Sequence, residues 1–455
     1  MIKAFVLLFL FLSNTFAIAQ VTPVYNFQKD DPVLKKKYVE EASQQQKILI
    51  NNLANEYKRD FIRVYDDRFK EVETLLQSSR IVTSSEPFNY LNAILKRIVD
   101  ANKELKGIKI RMVFSRDRWP NAYSMGEGTI VINAGLMTFL DNEAELVFVL
   151  CHELAHYYLD HGNNAIKKNI ERINSDEYKK EIRRLSKKEY RVNEQLDSLV
   201  KKITFGNRRH SREFEAEADR KAFEFMKKTG YDLNAIKTCL QMLEKVDDSM
   251  LFNPLNLEQS FDFKDYPFKK RWIKNESLLF DQVNSDLSLK ERNDQDSLKT
   301  HPDCEMRIDL LKDSISTLNN GQKFLENESY FKQLKKDFLV EMLVQDYRDE
   351  NLTRNLYYSL VMLQKGENTP MAVISVIRVL NKIYDNQKIH QIAKTMEKES
   401  NHFSEDYNLL LRMFDRLKLD ELANLNHHFC KHYEAQMEGY EGFSNEMDTA
   451  NKNAK

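Results

Sequence analysis

Residues 151–162 constrain the fold of this chain more than any other segment. They read CHELAHYYLDHG and directly follow the apolar run LVFVL. A helix with so many consecutive apolar residues must lie in the protein interior, so polar groups at its end need buried partners or a ligand. His152 and His156 are four residues apart and lie on one helix face, where both imidazoles can bind one zinc ion. Glu153 can then reach a water molecule on that ion.

A second acidic segment supplies candidates for the remaining positions. A catalytic zinc site needs three protein ligands and one open position. In SREFEAEAD, Glu215 and Asp219 are four residues apart, so Glu215 can bind the ion while Asp219 supports a ligand histidine. Alone, this acidic cluster would more commonly be a solvated helix face, but with the two histidines it predicts one Zn2+ per chain. His161 lies about 140° round a continuous helix from His156, which predicts a structural role.

Composition predicts a mostly helical protein with a few strands. Of 455 residues only 11 are glycine and 8 are proline, whereas 31% are charged, a balance that favours long exposed helices. The formal net charge of −1 argues against a nucleic-acid partner. The alternating run over residues 108–114 and the segment TIVIN over residues 129–133 predict strands. Asn142 and Glu145 have capping-box spacing, which predicts that the helix with the histidines begins near Glu143.

The first 19 residues have the features of a signal peptide. A lysine precedes an apolar run over residues 4–12, and Ala17-Ile18-Ala19 has the small-x-small pattern of a cleavage site. The apolar run is shorter than the roughly 20 residues that span a bilayer. We therefore expect an exported chain that begins at Gln20, resides in the periplasm or alternatively is secreted, and has no membrane span. Export leaves two alternatives for the cysteines, disulfides or buried free thiols: Cys151, Cys239, Cys304 and Cys430.

The rest of the chain divides into four predicted parts. Residues 20–80 form an N-terminal helical segment, and residues 81–320 form the core. A charged helical insertion interrupts the core at 163–204, where apolar residues recur at spacings of three and four. Residues 321–445 form an all-helical region without a convincing repeat, and residues 446–455 form a disordered tail.

Four separated blocks carry a resemblance to a known family. They read PNAYSMGEGTIVINAGL, HELAHYYLDHG, SREFEAEAD followed by TGYD, and KTHPDCEMRIDLL. They resemble the zinc peptidases related to the CAAX prenyl protease and HtpX, and within these the soluble periplasmic beta-barrel assembly-enhancing proteases. The resemblance implies an α+β, predominantly α-helical protein with a gluzincin-type metallopeptidase core, a small antiparallel or mixed sheet and a C-terminal all-helical region. It also implies these roles: zinc ligands His152, His156 and Glu215, general base Glu153, and Asp219 behind a ligand.

The last of these blocks draws attention to His301, with Arg307 downstream of it. As an additional ligand, His301 would keep the enzyme latent, and as a hydrogen-bond donor it would stabilise the oxyanion of the tetrahedral intermediate. It is equally well a loop residue, since a lone histidine before proline is commonly that. His210, five residues before Glu215, competes for the oxyanion role.

Together these features predict a zinc-dependent metalloendopeptidase of the cell envelope whose substrates are unfolded or stalled envelope proteins. An extended polypeptide would add to the predicted strand by backbone pairing, which tolerates many sequences. The residues predicted to pair with it are Thr129, Ile130, Val131, Ile132 and Asn133. The alternative is a helical chaperone-like or scaffold protein whose C-terminal helices bind partners and whose protease site is latent or incidental.

Overall fold

The computed structural model describes residues 27, 29–186, 212–249, 253–274, 304–316, 321–367, 369–400 and 403–455. Within these ranges the first helices are α1 (Pro32–Asn51), α2 (Lys58–Gln77), α3 (Ser85–Ala101), α4 (Ala134–Phe139), α5 (Glu143–Tyr158), α6 (His161–Asn174), α7 (Asp176–Ser186), α8 (212–226) and α9 (Asn234–Ser249). They are followed by α10 (Leu257–Phe261), α11 (Cys304–Ser316), α12 (Glu328–Arg348), α13 (Leu352–Lys365), α14 (Thr369–Lys388), α15 (Glu405–Arg416), α16 (Leu419–Met437) and α17 (Phe443–Asn453). The strands are β1 (Ile81–Val82), β2 (Arg111–Ser115), β3 (Ala122–Ser124) and β4 (Thr129–Asn133). The predicted fold class, mostly helical with a small sheet, is confirmed.

The four strands form one mixed sheet in the order β1-β2-β4-β3. Strands β2 and β4 are parallel, with Arg111 opposite Thr129, whereas β1 and β3 pair antiparallel at the two edges. Strand β4 is hydrogen-bonded on both sides and all five of its residues are buried. The prediction that Thr129–Asn133 receives an extended substrate is therefore wrong, because residue types identify a strand but not its neighbours in the sheet. Among the described residues β3 has a strand on one side only, which makes it the edge strand beside the histidines.

Helix α5 begins where the capping spacing predicts. The Asn142 side chain accepts a hydrogen bond from the Glu145 amide at 3.1 Å, and the helix starts at Glu143. Every residue from 143 to 155 is buried, so the helix crosses the core and carries its two histidines to the inner end of a cleft. Such a helix is held by packing on all sides rather than by one apolar stripe.

Glu143 ties the start of α5 to two distant segments. Its buried carboxylate accepts hydrogen bonds from the Tyr90 hydroxyl at 2.8 Å and from the Tyr231 hydroxyl. It also accepts from the backbone amides of residues 325–327, at 2.8 to 3.2 Å. Burial raises the pKa of this carboxyl, but the hydrogen bonds outweigh burial and lower the pKa. Two hydroxyls and three amides thus donate to the single carboxylate of Glu143, and these bonds fix the position of the N-terminus of α5.

Helices cover both faces of the sheet. On one face, Tyr38 of α1 and Val72 of α2 pack with Val113 and Val131 from the two central strands. The opposite face packs against α3 and α5 in the largest apolar core. Helix α6, the first part of the charged insertion, packs on α2. Its residue Ile170 is buried against Phe61 and Tyr65 of α2 in a small cluster separate from the main core. The N-terminal helices therefore support both the sheet and the start of the insertion.

The C-terminal helices build a second apolar core, and the predicted boundary at 320/321 does not separate the two cores. Phe331 and Phe338 of α12 belong to the first core. Phe261 and Trp272, which precede the predicted boundary, belong to the second core. The chain therefore passes between the two cores three times, which its local sequence pattern does not reveal.

The prediction of a disordered tail over residues 446–455 is wrong, since α17 continues to Asn453. Phe443 and Ala450 are buried, with Met447 packed beside them at helical spacing. Arg378 of α14 donates to the Glu446 carboxylate at 2.8 Å. The segment is rich in polar residues, so its three apolar contacts were too few to predict a docked helix.

All four cysteines lie within the described residues, and each is a buried free thiol. Of the two alternatives for them, the structure therefore shows the free thiols. None of the described helices is both long enough and apolar enough to cross a bilayer.

Candidate metal centre

Three side chains from two helices converge at the inner end of the cleft. Helix α5 contributes His152 and His156, whose Nε2 atoms are 3.1 Å apart. Helix α8 contributes Glu215, whose Oε2 atom lies 3.4 Å from His152 Nε2 and whose Oε1 atom lies 3.4 Å from His156 Nε2. These potential ligand atoms all lie within 4.8 Å of one another. The four-residue spacing of the histidines brings both imidazoles to one side of α5, as the sequence predicts.

The chemistry of this group fits a cation. Asp219 Oδ1 lies 3.0 Å from His152 Nδ1, so in the neutral ring that nitrogen carries the proton and Nε2 presents a lone pair. The Nε2 atom of His156 and the Glu215 carboxylate face the same point. The Glu215 Oε2 atom is buried and has no hydrogen-bond partner within the described part of the chain. Two imidazole nitrogens and one carboxylate are a donor set that suits zinc, with a fourth position open to the cleft.

Arg307 of α11 supports the carboxylates from behind. Its guanidinium donates to both oxygens of Asp219, from Nε at 2.6 Å and from Nη2 at 2.7 Å. A third nitrogen, Nη1, lies 3.4 Å from Glu215 Oε2. Burial raises the pKa of Asp219, but Arg307 and His152 outweigh it and lower the pKa to about 2. The family resemblance includes Arg307 but implies no role for it, and the structure places it behind Glu215 and Asp219.

The electrostatics of the cluster favour positive charge. Burial lowers the pKa of His152, but the contacts with the Asp219 and Glu215 carboxylates outweigh burial and raise the pKa to about 10. Burial raises the pKa of Glu215, but His152, His156 and Arg307 outweigh burial and hold the pKa well below its ordinary value. In the metal-free site, protonated His152 and Arg307 balance the two buried carboxylates, and a bound metal ion would take the place of the proton on His152 Nε2.

The cleft in front of the cluster has a volume of about 380 Å³. Asn121 and the edge strand β3 line one side of it, and α5, the start of α6 and Glu215 line the other. The amides of Asn133 and Met125 bond to backbone carbonyls across the β3–β4 pair, at 3.0 and 2.9 Å. Along an edge strand, the backbone groups of successive residues point alternately towards the paired strand and away from it. The backbone groups of Tyr123 therefore face β4, whereas those of Ala122 and Ser124 face the cleft. The Ser124 amide donates to Glu153. Burial raises the pKa of Glu153, and the two imidazoles oppose that shift.

His161 is a member of the site that the sequence argument missed. A continuous helix over residues 152–161 would direct His161 away from His156, but α5 ends at Tyr158. Asp160 has a left-handed φ of 58°, and α6 begins with the next residue. The turn brings His161 Nδ1 to 3.0 Å from His156 Nδ1. The turn depends on the positive φ of Asp160, and a positive φ at a residue other than glycine cannot be predicted from the sequence.

Two predicted residues have no placement in the structure. His210 and His301, the candidate oxyanion donors, lie outside the described residues, as does the part of the insertion after residue 186. The signal sequence over residues 1–19 also lies outside them.

Comparisons with known proteins agree with this geometry. Mitochondrial metalloendopeptidase OMA1 of Schizosaccharomyces pombe is 28% identical to the chain over 199 residues. The aligned region is 43% of this chain and 56% of OMA1, so the chain spans about half the length of that relative. The family model described as peptidase family M48 matches residues 85–315, about half of the chain and the part that contains the whole cluster. On that match, the chain belongs to peptidase family M48.

Proposed function

We propose that this protein is a zinc-dependent metalloendopeptidase of the cell envelope that cleaves unfolded or stalled proteins. The observation that carries the proposal is the convergence of His152, His156 and Glu215 beside Glu153, at the inner end of a cleft with a strand edge along one wall. Its membership of a peptidase family supports hydrolysis of polypeptides. The metal identity rests on the donor set of two imidazoles and a carboxylate.

Each residue of the site has a defined part in hydrolysis. His152, His156 and Glu215 would hold the ion, and Asp219 and Arg307 keep His152 and Glu215 in place. When bound, zinc polarises the scissile carbonyl and acidifies a water molecule. Glu153 takes a proton from the attacking water and then delivers it to the leaving amine. Burial raises the pKa of Glu153, which suits a carboxyl group that must hold a proton between these two transfers.

The edge strand β3 supports an extended polypeptide as the substrate. The backbone N–H and C=O of Ala122 and the carbonyl of Ser124, which face the cleft, can pair with a substrate strand. Such pairing reads backbone more than side chains. Folded proteins rarely expose a free extended segment, whereas an unfolded chain does. We infer that the preferred substrates are unfolded proteins, in place of the earlier prediction that β4 binds them.

Changing Ala122 to proline tests this role of β3. Proline removes one amide N–H that faces the cleft but none that bonds to β4, and edge strands tolerate proline at such positions. We expect kcat/KM for an extended peptide to fall roughly three- to tenfold, the effect of one hydrogen bond, with metal content unchanged. In contrast, Tyr123→Pro removes a bond to β4 and should lower the melting temperature. Wild-type kcat/KM in a folded Ala122→Pro variant would contradict backbone pairing at β3.

An envelope location is supported by the N-terminal sequence, with its lysine, short apolar run and small-x-small site. Mass spectrometry of protein from the envelope fraction should find Gln20 as the first residue. A cytoplasmic protein that retains Met1 would contradict this part of the proposal.

The proposed activity is tested by cleavage of denatured casein. The purified protein should degrade casein, lose that activity when a chelator removes its metal, and regain it on addition of zinc. Folded proteins of about the same size as casein should be cleaved more slowly, because they expose no free extended segment. A protein that binds denatured casein but never cleaves it, whatever the metal, would favour the chaperone-like alternative.

A further inference from the structure

We propose that His161 is a positioning residue that holds His156 in its metal-binding orientation and tautomer. The proposal rests on the proposed function, since it requires that His156 binds a metal ion. His161 touches neither the point on which the three ligand atoms converge nor Glu153 in any described contact. It acts through the imidazole of His156.

The hydrogen bonds of His161 fix where each proton lies. Its Nε2 atom is 3.2 Å from the Glu217 carboxylate, which can only accept, so Nε2 carries the proton in the neutral ring. The Nδ1 atom then presents a lone pair, and it lies 3.0 Å from His156 Nδ1. His156 must therefore donate from Nδ1, which leaves the lone pair on its Nε2 directed at Glu215. This is the tautomer that a metal ligand requires.

Packing holds the His161 ring in the position that this bond needs. The ring stacks on Phe214 with the centroids 4.3 Å apart and the planes inclined by 15°. Phe214 lies on α8, one residue before Glu215, so the same helix supplies a ligand and the support for the second histidine. The His161 side chain is 5% exposed. Its place at the first turn of α6 follows from the left-handed backbone of Asp160.

The two ligand histidines are supported by different chemistry. His152 donates to Asp219, a carboxylate that is 3% exposed and bound by Arg307. His156 donates to an imidazole, whose own partner Glu217 is 54% exposed. Removing His161 therefore removes an orienting acceptor without leaving a buried charge unpaired. The variant should fold, and its defect should appear in metal binding.

The affinity for zinc, measured by competition with a chelating dye, tests the proposal. In His161→Phe the aromatic ring can still stack on Phe214 but accepts no hydrogen bond. We expect its Kd for zinc to rise about 10- to 100-fold, as on loss of a partner behind a metal ligand. Lys167→Gln, an exposed change on the same helix, should leave the Kd within twofold of wild type. If His161→Phe does not fold, His161→Leu provides the same comparison.

Cobalt substitution gives a readout that a purely structural role would not move. The visible absorption of the cobalt-loaded protein should differ between wild type and His161→Phe, because the orientation of His156 changes. An unchanged spectrum together with a Kd within twofold of wild type would overturn the positioning role. Absence of zinc and cobalt binding by wild type would instead overturn the proposed function itself, so the two failures are distinguishable.

Discussion

Replacing Glu153 with glutamine is expected to reduce peptide hydrolysis at least about a hundredfold while leaving the fold and zinc content at wild-type levels. Proton transfer by a positioned side chain typically contributes at least that factor, and an amide cannot accept the proton of the attacking water. Glu153 is not one of the three converging ligand groups, so its loss removes no ligand. Single-turnover cleavage of a fluorogenic peptide, with zinc content measured on the same sample, checks both parts.

The matched control is Glu224→Gln, an equal change on α8 at a partly exposed carboxylate. It should cleave at the wild-type rate. Turnover within about threefold of wild type in Glu153→Gln would exclude Glu153 as the base. Loss of zinc in that variant would mean that Glu153 belongs to the metal-binding set.

Replacing Arg307 with alanine is expected to have the largest effect on stability. Arg307 is the cation that pairs with Asp219 and Glu215, and all three groups are largely buried. Removing one partner of a buried ion pair commonly costs about 3–5 kcal/mol, because the remaining charge is left uncompensated. Denaturant unfolding of the metal-free protein, followed by near-UV circular dichroism, should show a loss of this size.

Zinc should offset part of that loss, because the ion supplies positive charge beside Glu215. Adding zinc to Arg307→Ala should therefore raise its unfolding midpoint more than in wild type. Arg307→Lys keeps the charge but not the paired contact with Asp219, so its free energy of unfolding should lie between those of wild type and Arg307→Ala. A cost below about 1 kcal/mol in metal-free Arg307→Ala would contradict the role assigned to the guanidinium.

Local spacing was sufficient to predict the centre of the site. The i, i+4 pairs in α5 and α8 and the cap at Asn142 depend only on helix geometry, which a sequence reports well. The pairing of α5 with α8, across the insertion, was inferred from the ligand number that zinc requires. The structure brings His152, His156 and Glu215 together as that inference demands.

The parts that could not be predicted depend on tertiary neighbours. The run TIVIN is a strand, but only the sheet order shows that β3 lies outside it and faces the cleft. His161 was assigned by extending α5 past its true end, and a left-handed Asp160 is not visible in a sequence. Arg307 lies far along the chain from Asp219, and nothing in its local pattern indicates a buried partner.

The metal content of the purified protein tests most directly the central claim, that His152, His156 and Glu215 hold one zinc ion. Elemental analysis after zinc loading and gel filtration should find about one zinc per chain in wild type and little in His156→Ala. His432→Ala, an exposed histidine on the C-terminal helices, should retain about one zinc. Wild-type protein without stoichiometric zinc, or His156→Ala with as much zinc as wild type, would contradict the account.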